Sequence, residues 1–99
     1  METLEFEFAA DAPIAQRAHI GVVGSGDLEI LMEPADAPEQ GAQVRVCTSV
    51  TGYGEVWRQV LQRFFERHRL AARLQINDFG ATPGVVSLRL EQAVEASQS

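Results

Sequence analysis

The sequence predicts a small α+β domain in which two helices cover one face of a mostly antiparallel sheet. Three observations lead to this class: apolar residues alternate across the first half, one strong helical period follows residue 53, and alternation returns after residue 71. Because 99 residues leave room for only one core, residues 1–99 are expected to form a single domain. The predicted order of elements is β-β-β-β-α-β-α.

Four strands are predicted before residue 50, since apolar and polar residues alternate in each stretch. The inward positions of the first and fourth strands are Leu4, Phe6 and Phe8, then Val44, Val46 and Thr48. The second and third strands span 16–23 and 27–33. Their inward positions are Ala18, Ile20 and Val22, then Leu28, Ile30 and Met32.

A hairpin joins the second and third strands through Gly24, Ser25 and Gly26. Glycine reaches the positive φ angles that tight turns require, so this link favours a sharp reversal. The hairpin places Ser25 at an exposed tip, and Asp27 is expected to orient the turn through an Asx-type hydrogen bond.

The second half predicts a helix, a strand and a second helix. Apolar positions in the first helix begin at Tyr53 and recur every three or four residues as Val56, Trp57, Val60, Leu61, Phe64, Phe65 and His68. A strand follows at 72–77 and is expected to pair parallel to the fourth strand. Thr82 and Pro83 then predict a helix start, although Val86, Leu88 and Leu90 alternate as a strand would.

Charge and cysteine content narrow the function classes. Nine of the fourteen acidic residues precede residue 40 and the net charge is −6, which argues against nucleic acid as a partner. No apolar run reaches membrane-spanning length, and a single cysteine, Cys47, is typical of a cytoplasmic protein. One cysteine and two distant histidines predict no metal site.

Ser25 has three interpretations from the residues alone. It belongs to a simple turn, or its flanking glycines expose it to a modifying enzyme, or it is a nucleophile with His19 or His68 as base and Asp78 as orienting group. The neighbouring stretch lacks the spacing of a dinucleotide fingerprint and no helix follows it.

Three stretches together resemble the acyl carrier (delta) subunit of bacterial malonate decarboxylase: "GVVGSGDLEILMEP", "TSVTGYGEVWRQVLQRFFERH" and "LQINDFGATPGVVSLRLEQA". The resemblance covers nearly the whole chain. A more distant similarity, to the acyl carrier (gamma) subunit of citrate lyase, depends on the "SGD" motif and the order of elements after it.

This resemblance implies a carrier without catalytic activity of its own. Ser25 would hold a 2'-(5''-phosphoribosyl)-3'-dephospho-CoA group through a phosphodiester, with Gly24 and Gly26 giving access and Asp27 shaping the turn. The implied partners are a prosthetic-group transferase (holo-carrier synthase), the acyl-carrier transferase (alpha) and decarboxylase (beta and gamma) subunits, and a malonyl transferase. Neither nucleic acid nor a membrane is implied.

An alternative interpretation is a non-carrier interaction module that leaves Ser25 unmodified. Arg58, Arg63 and Arg67 lie on the first predicted helix, where arginine's forked donors suit an acidic partner. These three residues are the candidate docking contacts under either interpretation.

Overall fold

The computed structural model describes residues 1–98, apart from the side chain of Pro38, and shows two helices on a mixed six-stranded sheet. The strands are β1 (Glu2–Phe8), β2 (Ala12–Pro13), β3 (Ala18–Gly21), β4 (Leu28–Pro34), β5 (Ala42–Thr48) and β6 (Leu70–Asp78). The helices are α1 (Gly54–Arg67) and α2 (Pro83–Gln98), and a 3-10 turn covers Pro38–Gln40. The α+β class is confirmed. The predicted order lacks only β2, which at two residues is too short to show a period.

The main sheet has the order β1-β5-β6-β4-β3, with β2 beside β6. β5 and β6 run parallel, so the predicted parallel pairing is confirmed, and Thr48 lies opposite Asp78 at their ends. The pairs β1 with β5, β4 with β6, and β3 with β4 are antiparallel. The carboxyl ends of β5 and β6 therefore meet at one edge, where the connections to α1 and α2 begin.

The core lies between the sheet and the helices. Leu28, Ile30 and Met32 of β4 are fully buried, as their alternation predicted. From α1, Trp57, Leu61, Phe64 and Phe65 enter the same core. Each large apolar side chain buried there stabilises the fold by roughly 1.5 to 3 kcal/mol. This packing rigidly positions the loops at the edge of the sheet.

The second predicted strand is too long. β3 ends at Gly21, and Val22, predicted to be inward, is 59% exposed. Gly21 has φ +87°, and a Cβ there would overlap the carbonyl oxygen of Leu28. The chain therefore leaves the sheet at Gly21, and six residues, 22–27, form the connection instead of three.

The start of α2 follows the predicted cap, whereas the first turn of α1 is more exposed than its period suggested. The Thr82 hydroxyl accepts a hydrogen bond from the Val85 amide at 3.3 Å, and Pro83 is the first residue of α2, so the helical prediction is confirmed. Tyr53 and Val56 are 53% and 40% exposed, so their predicted burial is wrong. They border an open cavity beside the start of the helix.

Candidate functional site

The loop 22–27, hereafter the Ser25 loop, presents an exposed serine on a tight turn. The Asp27 amide donates to the Gly24 carbonyl at 3.0 Å, which closes a turn with Ser25 and Gly26 in its central positions. Gly26 has φ +75°, and among residues 1–98 only glycines have positive φ, so Ser25 does not and the turn has the type II pattern. The Ser25 hydroxyl makes no hydrogen bond within residues 1–98.

The two glycines beside Ser25 have different roles. Gly26 is required by its backbone angle, and a Cβ there would meet nothing within 4 Å. At Gly24 a Cβ would contact only Val22 Cγ2, at 3.8 Å, so this glycine leaves space without being conformationally required. The hydroxyl is therefore open to an approaching enzyme from both sides.

The base of the Ser25 loop is held by the segment that follows β6. The Gly26 amide donates to the Phe79 carbonyl at 2.8 Å, and the Phe79 amide donates to the Asp27 carbonyl at 3.0 Å. These bonds continue the β4–β6 ladder beyond its last pair. The serine is thus presented on a fixed base.

Asp27 joins the loop to α2 through a bidentate ion pair. Arg89 donates from Nε to Oδ1 at 3.1 Å and from Nη2 to Oδ2 at 2.7 Å, while the Leu28 amide also donates to Oδ1 at 2.7 Å. The Arg89 hydrogen bonds, with that amide, lower the pKa of Asp27 below its usual value. Asp27 therefore acts through Arg89 and Leu28 and not through the predicted Asx-type bond. Sequence reasoning missed Arg89 because it is 62 residues away.

The three residues of the serine-nucleophile hypothesis are engaged elsewhere. His19 Nε2 pairs with Glu29 at 2.9 Å, and His68 Nε2 pairs with Glu91 at 3.0 Å. Asp78 is buried and accepts a hydrogen bond from the Thr48 hydroxyl at 2.8 Å. Since neither histidine is bonded to Ser25, the arrangement lacks the base that serine acyl transfer needs.

Asp78 organises the loop 79–82 that supports the Ser25 loop. Besides the Thr48 hydroxyl, its carboxylate accepts from the amides of Gly80 at 3.3 Å and Ala81 at 3.0 Å. These contacts hold the chain between β6 and α2 in one conformation. Asp78 therefore has a structural role at the end of β6.

The three candidate docking arginines are exposed, but two have partners within the chain. The Arg58 guanidinium lies over the Phe6 ring, 5.1 Å from its centre, and Arg67 pairs with Glu91 at 3.1 Å. Arg63 forms no ion pair with any residue from 1 to 98. It is the arginine of the three that is most available to a partner.

Residues 1–98 contain neither a cluster of metal-binding side chains nor a membrane-spanning helix. No group of three or more histidine, cysteine, aspartate or glutamate side chains within 1–98 is arranged to hold a metal ion. Neither of the helices described there is long and apolar enough to cross a membrane.

An exposed serine on a turn held by backbone hydrogen bonds is compatible with the class of acyl carrier subunits, and comparison with known proteins identifies this class. The family model described as the malonate decarboxylase delta subunit (MdcD) matches residues 15–97. The chain belongs to this family of acyl carrier subunits, and it is accordingly a carrier and not a catalytic subunit.

Individual relatives agree over almost the full length. A malonate decarboxylase acyl carrier protein of Azotobacter vinelandii is 54% identical over 96 residues, covering 96% of this chain and 95% of that protein. One from Pseudomonas aeruginosa is 57% identical over 97 residues, with the same shares covered. A chain in the crystal structure of a Pseudomonas malonate decarboxylase hetero-tetramer in complex with malonate is 49% identical, with a TM-score of 0.89. The match covers 96% of this chain and 97% of that one.

Proposed function

We propose that this chain carries acetyl and malonyl thioesters for malonate decarboxylase on a 2'-(5''-phosphoribosyl)-3'-dephospho-CoA arm attached to Ser25. The observation that carries the proposal is the exposed Ser25 hydroxyl, flanked by Gly24 and Gly26 and free of hydrogen bonds within residues 1–98. Membership of an acyl carrier family supports a covalent group, because a carrier must hold its cargo.

The residues around Ser25 fit such a group. Space beside both glycines admits the phosphodiester and the enzyme that makes it. Attachment forms a bond from Ser25 Oγ to the phosphorus of a diphosphate-activated form of the arm, the phosphorus–oxygen bond to the departing diphosphate breaks, and the hydroxyl proton goes to a base of the attachment enzyme. That base is expected to come from the enzyme, because neither His19 nor His68 is hydrogen-bonded to Ser25 within residues 1–98.

When bound, the arm supplies a terminal thiol that holds the acyl group as a thioester. A long tether makes delivery between active sites intramolecular and raises the effective concentration of the cargo. The chain's own contribution is a fixed anchor: Phe79 holds the base of the Ser25 loop, and Arg89 ties Asp27 to α2. A rigid base keeps the starting point of the arm constant relative to partner surfaces.

The proposed partners are the holo-carrier synthase that attaches the arm, the alpha transferase, the beta and gamma decarboxylase subunits, and a malonyl transferase. The hetero-tetramer named for the similar solved structure supports partner subunits in general. Arg63, with Arg58 and Arg67 beside it on α1, remains the proposed docking contact, and a cytoplasmic location remains the expectation from the lone Cys47.

The test is the intact mass of Ser25→Ala after co-expression with the attachment machinery. The variant is expected to fold normally, because the hydroxyl has no partner within residues 1–98, and to gain no prosthetic-group mass. Ser87→Ala, which removes an exposed hydroxyl on α2, is the matched control and should carry the full adduct. An adduct that persists on Ser25→Ala would refute attachment at this residue.

A further inference from the structure

A cavity of about 400 Å³ opens where β5 and β6 end, and attachment at Ser25 makes no use of it. The loops leaving these two strands and the first turns of α1 and α2 surround it. Its apolar lining includes Val50, Tyr53, Val56, Trp57, Ala81 and Val86. The polar side chains of Thr48 and Asp78 in the lining are already bonded to each other at 2.8 Å.

The position of this cavity follows from the topology. Parallel neighbours β5 and β6 end at the same edge, and each is followed by a helix. Crevices at the carboxyl ends of parallel strands are common ligand sites, because the loops diverge there. Tyr53 and Val56 remain substantially exposed at its mouth, although both are apolar. The cavity is thus an apolar concavity open to solvent.

The Ser25 loop and this cavity are directly connected. Gly26 and Asp27 exchange backbone hydrogen bonds with Phe79, and the next residues, Gly80 and Ala81, line the cavity. Ser25 precedes Gly26, which is hydrogen-bonded to Phe79, and Gly80 follows Phe79. The Cα atoms of Ser25 and Gly80 therefore lie within roughly 14 Å of each other. A group that contains a nucleotide and a pantetheine chain is longer than this span.

We propose that the cavity shelters the acetyl thioester end of the group on Ser25 between transfers, an inference that rests on the proposed function. Acetyl is small and uncharged, and the lining offers it apolar contact. A malonyl group carries a carboxylate that would lose hydration against this lining and would face the Asp78 carboxylate. The cavity therefore favours the acetyl form over the malonyl form.

The experiment compares amide NMR spectra and Trp57 emission for the apo, thiol, acetyl and malonyl forms of the full chain. Trp57 is the only tryptophan and lines the cavity, so all of the tryptophan emission comes from a residue that contacts both this site and the core. Acetyl loading is expected to shift the Gly80 and Ala81 amides and the Trp57 emission. Malonyl loading should shift them less.

Three variants make the assignment specific. Ala81→Leu places a larger apolar side chain in the lining, which leaves less room for an acetyl group, and should weaken the acetyl-induced shifts, whereas Ala9→Leu, at an exposed alanine outside the lining, should retain them. Val56→Asn places an amide at an exposed position of the mouth and should reduce the shifts even if Ala81→Leu does not fold.

The outcomes separate this inference from the proposed function. If the protein gains the group by mass but acetylation leaves the cavity signals unchanged, attachment stands and the shelter is refuted. Shifts that appear only when a partner subunit is added would equally refute it, since the cavity would then receive a partner side chain. If no mass is gained at Ser25, both proposals fail.

Discussion

Thr48→Val removes the hydroxyl that joins the ends of β5 and β6. Thr48 is fully buried, donates to the Asp78 carboxylate at 2.8 Å, and accepts from the Val50 amide at 3.1 Å. Valine has nearly the same shape, so the core keeps its packing while the carboxylate loses one of its three donors. The change therefore isolates the polar contribution to the support of the loop 79–82.

The size of the effect follows from the kind of hydrogen bond that is lost. A hydrogen bond to a charged group contributes about 1.5 to 3 kcal/mol, and a buried acceptor left short of donors adds to the cost. The Val50 amide is only half-buried, so water replaces much of its bond. We expect a loss of about 2.5 kcal/mol of unfolding free energy, which lowers the Tm of a domain this size by roughly 10 to 20 °C.

Urea unfolding and thermal melts measure this change, with Thr3→Val as the matched control. Thr3 is also a strand threonine, but it is exposed, and within residues 1–98 its hydroxyl hydrogen-bonds only with the Cys47 sulfur, at 3.8 Å. The control should change stability by less than about 0.5 kcal/mol. A loss below about 1 kcal/mol for Thr48→Val would refute the view that its bond to Asp78 supports the loop 79–82.

Arg89→Ala should raise amide exchange in the Ser25 loop and slow the mass gain on co-expression, because the loop loses its tie to α2. Arg63→Ala is the control, because Arg63 forms no ion pair within residues 1–98. Equal amide exchange in the two variants would contradict a stabilising role of the Arg89–Asp27 ion pair. Partial burial of Glu91 opposes its ionisation, but hydrogen bonds from Arg67 and His68 outweigh this and lower its pKa from the usual 4.5. Its stabilising contribution is therefore complete above pH 4.5 and is lost as pH falls through the lowered value. In urea unfolding, the unfolding free energy of wild type should exceed that of Glu91→Gln by at most about 1 kcal/mol near neutral pH. This difference should shrink in acid. A gap that widens in acid would reverse the assigned sign.

Most elements could be predicted because each has a period that reflects which face is buried. Leu28, Ile30 and Met32 have the two-residue period of a half-buried strand, and their burial is complete. The helical spacing of Trp57, Leu61 and their neighbours likewise predicted α1. In each of these elements, local alternation and tertiary burial agree.

Predictions failed where the surroundings of a residue in the folded chain differed from those that the local pattern implied. Val22 continues an alternating run, but the close approach of Gly21 to the Leu28 carbonyl ends the strand before it. Tyr53 and Val56 continue the apolar spacing of α1, but they line an open cavity instead of packing against a neighbouring element. In both cases the sequence shows the face a residue occupies and not what lies opposite it.

By itself, the sequence determined the fold class and a serine exposed on a glycine-flanked turn, whereas the parallel pairing of β5 with β6 was an expectation that the structure confirmed. The fold class and the exposed turn follow from periodicity and turn chemistry, which act over a few residues. Only the tertiary structure decided that Arg89 holds Asp27, that Phe79 supports the Ser25 loop, and that a cavity opens beside that support. Such contacts join residues tens of positions apart, and no local pattern encodes them, because they depend on how whole elements pack.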